Sequence, residues 1–339
     1  MNHWNFINIP STLFNHDESR DGIARPWFSL SSYLKSKGVC VSFNRSYVSN
    51  CINFFVNPKK SHFRFLHHSN SFVIRWEPPI VRPDLWYSLP HNTSNIISWN
   101  KDPYTNPIQF YNQPMPVKSL LNSELTKLSD NLRLDSCNRS IAIINSFKTS
   151  KFKEASNNGY FLRLKLIHEL SLSSLDLKVF GFGWNSLLTG PSFNSHLILS
   201  SAISSICTTR SFVRSLHNCY SGILSSKEDL LSHCSFSLVI ENSFDDFYVT
   251  EKLVDSLYSG VYPIFVGNVF VKSIFPDYLF SFISPDSNCI VEQISSIIEN
   301  VDLKEWRLSL LDYLSKHIVD KTILGTNHFL STFDTILHA

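Results

Sequence analysis

The chain has 339 residues, 43% of them hydrophobic and 17% charged, with a formal net charge of +2. That length predicts two domains, the composition excludes a disordered chain, and the weak net charge argues against a general nucleic-acid binder, so anionic ligands must be held by local groups. Seven widely spaced cysteines, with no CxxC pair and no Cys/His cluster, predict reduced thiols and no metal site. Residues 1–7 lack the basic flank and apolar run of a signal peptide, and no stretch approaches the roughly 20 apolar residues that span a bilayer. The expectation is a soluble cytoplasmic protein, with peripheral membrane contact left open.

In chain order, Pro26 at an early helical position and Trp27, Leu30 and Leu34 on one face predict a helix that Gly38 stops. Strands are expected at residues 39–43, 54–56, 72–76 and 96–99; interleaved with helices, they predict a parallel α/β sheet. A Pro- and Asn-rich stretch runs from Pro103 through Pro107, Pro114 and Pro116, and a polar segment spans residues 122–138. The domain boundary is placed near residue 130, giving domains 1–130 and 131–339. The second domain opens with a buried strand at 141–144, a helix over 159–172 and a strand at 177–180 that runs into Gly181, Phe182 and Gly183. Residues 185–224 are Ser-rich and show no clear period, and a short helix is expected at 227–233. Then comes the clearest unit: a strand at 235–240, a polar loop at 241–248, a helix capped by Thr250 and closed by Gly260, and a strand at 261–267. Its crossover is expected to be right-handed. Two helices, near 290–300 and 303–318, are expected to end the chain, the last helices packing back on the N-terminal domain.

In an open parallel sheet, ligands bind beyond the carboxyl ends of the strands. The loop at 241–248 leaves a strand there and feeds a helix N-terminus, whose N–H groups and dipole favour an anion such as phosphate. Lys252 adds a point charge for a pyrophosphate, Glu251 two acceptors for a ribose diol, and Asn242 and Tyr248 further polar contacts. The same residues also suit a plainer role: Glu at a helix start is a common capping device, and a first-turn Glu-Lys pair is commonly solvated surface. No GxGxxG or GxxxxGK[ST] motif decides between the two.

The run from Cys234 to Ser243 that ends in Val239-Ile240-Glu241-Asn242-Ser243, then Tyr248-Val249-Thr250-Glu251-Lys252-Leu253, then Gly260-Val261-Tyr262-Pro263-Ile264 and Val266-Gly267, closely resembles the donor-binding signature of the α1,3/4-fucosyltransferases of glycosyltransferase family 10. That signature reads F-E-N-S, a short loop, D-Y-[IV]-T-E-K and G-x-x-P-[IV]-x-x-G; Phe275-Pro276 and Ser281-Phe282-Ile283 continue the match. The resemblance implies a GT-B architecture, two Rossmann-like domains facing across a cleft, with residues 1–130 on the acceptor side and residues 131–339 binding GDP-fucose. It implies donor contacts from Asn242, Tyr248, Glu251 and Lys252, with Glu241 and Ser243 orienting the loop. Residues 141–146 resemble the strand that opens the family's donor domain, and Arg163 falls where the family has an Arg in the next helix, which implies a donor-binding residue near the phosphates, with a surface helical Arg as the alternative. One departure stands out: the family's F-G-R becomes Phe180-Gly181-Phe182, so a phosphate contact is either missing or supplied elsewhere, for example by Arg210 or Arg214.

Inverting transfer needs a base for the acceptor hydroxyl. Glu77, in Arg75-Trp76-Glu77-Pro78-Pro79, follows an expected strand and resembles the catalytic Glu of the family's E-S-P motif, with Pro78 in place of Ser. An ion pair of Glu77 with Arg75 or Arg82 is the competing role, and Asp84 is the fallback base. His67, His68 and His91 are expected to be solvated or core residues. Asp245 and Asp246 lie in the variable part of the motif, so no metal and no cofactor are assigned beyond GDP-fucose and an oligosaccharide acceptor. The function expected is an inverting transfer of fucose to an acceptor glycan, with an α1,3 link to N-acetylglucosamine. The alternatives are another nucleotide-sugar donor on the same fold, or a non-catalytic glycan- or nucleotide-binding relative.

Overall fold

The computed structural model describes residues 3–12, 25–79, 81–82, 84–99, 109–112, 122–132, 139–148, 157–188, 207–226, 230, 233–316 and 325–338. The chain divides into two compact units, Met1–Leu120 with His317–Ala339, and Leu121–Lys316.

The first unit holds a parallel sheet of β1 (His3–Ile7), β2 (Cys40–Ser42), β3 (Ile52–Val56), β4 (Ser71–Arg75), β5 (Asn95–Ser98) and β6 (Gln109–Asn112), in the order β2-β1-β3-β4-β5-β6. β1 and β6 are additions to the expected strands. Asn5 interrupts the apolar run of β1, yet it is fully buried, as is Asn53 of β3. Asn5 Nδ2 donates to Asn53 Oδ1 (3.0 Å) and to the Ser46 carbonyl (3.1 Å), and Asn5 Oδ1 accepts from the Asn44 N–H (2.9 Å). Asn53 in turn exchanges hydrogen bonds with both backbone groups of Val48 (2.9 and 2.8 Å). These amides take the backbone of the helix-free link from β2 to β3 as their partners, which is how polar groups survive at zero exposure.

The helix Arg25–Ser36 buries Pro26, Trp27, Leu30 and Leu34, as its pattern predicts. A further helix, Thr326–His338, follows the two that were expected to end the chain. Its Phe329 and Phe333 lie four residues apart on one face and are fully buried. They meet Trp27 and Phe54 at ring-centroid distances of 5.4 Å each, and Phe6 stacks on Phe54 at 4.8 Å.

The second unit holds β7 (Ile141–Ile144), β8 (Leu177–Phe180), β9 (Tyr220–Gly222), β10 (Phe236–Ile240), β11 (Tyr262–Val266) and β12 (Ser281–Ile283), all parallel, in the order β12-β11-β10-β7-β8-β9. Counted within the unit this is the 3-2-1-4-5-6 order of dinucleotide-binding sheets, with its switch point between β7 and β10. Every residue of β10 and β11 is buried. Pro263 fits inside β11 because pairing with β12 begins only at Ile264. The polar segment expected at 122–138 contains a helix, Asn122–Leu132, whose Leu128 and Leu132 lie against Gly260. The Ser-rich region contains the helix Thr209–Cys219, capped by the Thr208 hydroxyl on the Ser211 N–H (3.2 Å). The Pro-rich stretch from Pro103 to Pro107, with Pro114 and Pro116, lies outside the described residues, and so does most of the helix expected at 227–233.

Candidate active site

The switch point of the second sheet is where two connections leave on opposite sides, one after β7 and one after β10. The connection after β10 begins with Glu241, whose side chain is fully buried. Its Oε1 accepts from the Thr250 N–H (2.8 Å) and hydroxyl (2.9 Å), and its Oε2 accepts from the same hydroxyl (2.9 Å) and from Lys252 Nζ (2.8 Å). Lys252 Nζ also donates to Thr250 Oγ1 (2.7 Å). Glu241 is therefore tied to Thr250, the residue at the N-cap of the helix Glu251–Tyr258, whose own hydroxyl turns to Glu241 and caps no helical N–H. Burial works against the Lys252 charge, but Glu241 and Glu251 more than offset it and raise its pKa. The Lys252 side chain keeps 20% of its surface and Glu251 keeps 32%, with 3.9 Å between their charged ends.

The connection after β7 is tied to the same loop. The Gly159 N–H donates to the Asn242 carbonyl (3.2 Å), the Phe244 N–H to the Asn157 carbonyl (3.3 Å), and Asn158 pairs with Ser243 in an antiparallel bridge. Gly159 is obligatory there, since a Cβ would stand 1.8 Å from the Glu241 carbonyl oxygen. Asn158 caps the helix Gly159–Ser171 through the Phe161 N–H (3.1 Å). Arg163, on that helix, is turned inward and 3% exposed. Its Nη2 donates to the Ile240 carbonyl (2.8 Å) and to Asn242 Oδ1 (3.2 Å), so it holds the end of β10 and orients the Asn242 amide. Burial lowers its pKa, partly offset by Tyr160, Glu241 and Tyr248. Tyr248 is itself buried, with its N–H on the Asp245 carbonyl (3.1 Å).

The two acidic residues of the loop are engaged by donors. Asp245 accepts from Ser243 Oγ (2.5 Å) and Asn157 Nδ2 (2.8 Å), and Asp246 from Asn268 Nδ2 (3.0 Å). Between them and Tyr248 stands Phe247, with φ of 65°. The other non-glycine residues in the left-handed region, among those described, are asparagines, Asn8 and Asn57. For a side chain with a bulky ring this conformation costs about 1–2 kcal/mol.

Asn145, just past β7, is a feature that the sequence pattern did not single out. Its Nδ2 donates to the Ser146 carbonyl (3.0 Å), which fixes the amide so that Oδ1 is buried without a hydrogen-bond partner. Its backbone carbonyl accepts from Trp184 Nε1 (2.8 Å). Gly181, at φ 137°, approaches that carbonyl so closely that a Cβ would lie 2.0 Å away. Phe182 is thereby carried to the surface at the carboxyl end of β8, 52% exposed. Arg210 and Arg214 are exposed on the helix Thr209–Cys219.

In the first unit, Glu77 follows β4 and is half-buried. Its carbonyl accepts from Trp86 Nε1 (2.9 Å), and its charge reaches Arg82. Arg82 grips Asp84 with both ends of its guanidinium (2.9 and 2.8 Å), a hydrogen-bonded pair that lowers the Asp84 pKa. Arg75 is fully buried, its guanidinium 3.8 Å above the Trp86 ring and 3.1 Å from the Leu85 carbonyl. His67 and His68 form a ring stack with Tyr47 at the opposite, amino-terminal side of β4, away from Glu77. Among the described residues no group of three His, Cys, Asp or Glu is placed to hold a metal, and no helix is long and apolar enough to cross a membrane.

Two all-parallel α/β sheets, the second with its switch point between β7 and β10, give the chain a GT-B fold. The fold agrees over nearly the whole chain with a crystal structure of an alpha1,3-fucosyltransferase, at 14% identity and TM-score 0.55, covering 99% of this chain and 90% of that one. A glycosyltransferase from Rickettsia africae matches at 9% identity and TM-score 0.51, covering 98% and 97% of the two chains. Anabaena HepE in complex with UDP matches at 10% identity and TM-score 0.50, covering 100% of both. The family described as glycosyltransferase family 10 (fucosyltransferase), C-terminal part, matches residues 203–317. That segment contains the entire loop from Glu241 to Lys252. Residues 203–317 therefore resemble the C-terminal part of glycosyltransferase family 10, and the chain as a whole shares the fold of the glycosyltransferase structures above.

Proposed function

We propose that the protein is an inverting transferase that moves fucose from GDP-fucose to a hydroxyl of an acceptor glycan, with an α1,3 link to N-acetylglucosamine as the expected product. The observation that carries this reading is the position of the loop at residues 241–252. It lies within the segment matched by the family and leaves the carboxyl end of β10 at the switch point, where such sheets receive nucleotides. In this reading Lys252, with two of its three N–H donors spent on Glu241 and Thr250, turns the third toward the diphosphate. Glu251 receives the ribose hydroxyls, and Asn242 and Tyr248 complete the donor contacts. Arg163 acts through Asn242 as a positioning residue, while Glu241 and Ser243 hold the loop. Asn145 Oδ1 is an acceptor that a donor N–H or O–H of the nucleotide sugar satisfies.

Glu77 is the proposed base. It takes the proton of the acceptor hydroxyl as that oxygen bonds to the anomeric carbon and the bond from that carbon to GDP breaks. Asp84 suits the task less, because its bidentate pair with Arg82 stabilises the unprotonated form. The reading assigns no metal and keeps the enzyme cytoplasmic, with peripheral membrane contact where the acceptor is lipid-linked.

A second donor is favoured by one observation. Phe182 presents an exposed apolar ring where the resemblance has an Arg, and one fold relative is described in complex with UDP. Calorimetric titration with GDP, GDP-fucose, UDP and UDP-glucose tests both, followed by release of the nucleotide in the presence of N-acetyllactosamine. Binding and turnover with GDP-fucose are expected. Turnover with the uridine sugar alone would replace the donor, and donor binding without transfer to any acceptor sugar would make the protein a binding module.

A further inference from the structure

We propose that Phe247 is a sugar-stacking residue, its ring forming an apolar platform for a pyranose at the mouth of the donor loop. The inference rests on the donor-site reading above and adds to it a residue that contacts the sugar rather than the nucleotide.

Three observations meet at this position. Phe247 is the third residue of a four-residue turn closed by the Tyr248 N–H on the Asp245 carbonyl (3.1 Å), and its φ is 65°. Glycine or asparagine is the usual occupant there, because a Cβ is unwelcome at positive φ. The ring is not stored in a core that would justify the conformation, since it is 46% exposed. The turn cannot relax by shifting, because both preceding side chains are anchored: Asp245 to Ser243 and Asn157, Asp246 to Asn268. The residue that follows, Tyr248, is buried.

Phe247 meets the ring of Phe270 in a T-shaped contact, with centroids 4.9 Å apart and an interplanar angle of 75°. A T-shaped contact covers at most one face of the Phe247 ring, and a flat apolar face is what the C–H side of a pyranose fits. Backbone strain kept at an exposed aromatic, inside a loop otherwise fixed by hydrogen bonds, is the pattern of a residue retained for a ligand. Two pyranoses visit this site in the proposed reaction, the transferred sugar and the acceptor sugar. Both offer the same chemistry to the ring.

The test uses the full chain with Phe247→Gly and Phe247→Trp. Thermal unfolding without ligand is compared with calorimetric Kd values for GDP against GDP-fucose, UDP against UDP-glucose, and with the KM of N-acetyllactosamine. Phe247→Gly is expected to raise Tm, because the strain is relieved. It is expected either to weaken a nucleotide sugar several-fold while leaving its bare nucleotide unchanged, which identifies the transferred sugar, or to raise acceptor KM several-fold at unchanged donor Kd, which identifies the acceptor. Phe247→Trp is expected to restore the lost binding. A lower Tm with every binding constant unchanged overturns the proposal and leaves the ring as a prop for Phe270. Equal weakening of nucleotide and nucleotide sugar overturns it too, because the ring then only shapes the loop. A wrong donor is visible separately, as the preference of the unaltered protein between the guanosine and uridine pairs.

Discussion

The loop after β10 and the loop after β4 carry opposite kinds of chemistry. After β10, Glu241, Thr250 and Lys252 form a closed network of hydrogen bonds between 2.7 and 2.9 Å, and the helix Gly159–Ser171 is bound to the same loop through Gly159 and Arg163. After β4, the side chains close on themselves locally, Arg82 on Asp84 two residues away, with Glu77 beside them. The first arrangement is built to keep a shape; the second carries the carboxylate proposed as the base. A site of the first kind fails by losing its geometry. A site of the second kind fails by losing one group.

The sharpest way to break this comparison is Glu77→Gln. If Glu77 is the base, turnover falls about 10²- to 10⁴-fold while calorimetric affinity for GDP-fucose stays within error. Asp84→Asn, which disturbs only the ion pair with Arg82, is expected to change turnover far less. Unchanged turnover in Glu77→Gln removes the base from this loop and would falsify its half of the comparison.

The next largest effect belongs to Glu241→Ala. It removes the acceptor of the Thr250 N–H and the buried partner of Lys252 together. Breaking a buried pair from one side costs about 3 kcal/mol, and Lys252 retains some solvent access, so the loss measured by denaturant unfolding should not exceed that. If the loop binds the donor as proposed, donor affinity should fall along with stability. A variant that keeps full stability would show that the network is ornament to the fold, and the loop would then resemble the one after β4.

How far the sequence revealed these two loops follows from the range of the interactions that shape them. The start of the helix at Thr250 and the polar run before it are local and legible in the sequence, but the Thr250 hydroxyl bonds Glu241 and caps no helical N–H. That partner is not legible there, because Glu241 sits across the loop from Thr250 and only the fold shows the carboxylate turned back onto it. For Arg163 the resemblance implies a place near the phosphates, with a surface helical position as the alternative. The structure sets it against a carbonyl 77 positions later in the chain, in a strand whose proximity no local pattern carries. β1 escaped notice because Asn5 spoils its apolar run, and the amide is tolerated only because Ser46, Asn44 and Asn53 converge on it. The final helix, Thr326–His338, was missed although Phe329, Phe333 and Ile336 have helical spacing, since the pattern alone does not say what aromatic surface receives them.

The smallest effect separates the two loops by pH. Lys252 has a raised pKa in the folded protein, with burial opposing and Glu241 and Glu251 prevailing. The folded chain thus holds that proton more tightly than the unfolded chain does. The stabilisation is complete below the unfolded value of about 10.4 and is lost as pH rises through the higher folded value. Asp84 runs the other way: its pKa is lowered by the hydrogen bond from Arg82. Its contribution is present above the unfolded value of about 3.9 and is lost as pH falls through the lower folded value. Unfolding curves of the unaltered protein, Lys252→Met and Asp84→Asn across the pH range should therefore differ at opposite ends. The Lys252→Met difference stays flat through neutral pH and narrows only in alkali, whereas the Asp84→Asn difference narrows only in acid. If the Lys252→Met difference instead narrowed between pH 6 and 9, the ammonium would be titrating below its ordinary value. Desolvation would then outweigh Glu241, and the loop after β10 could not be the closed, charge-balanced unit that its hydrogen bonds describe.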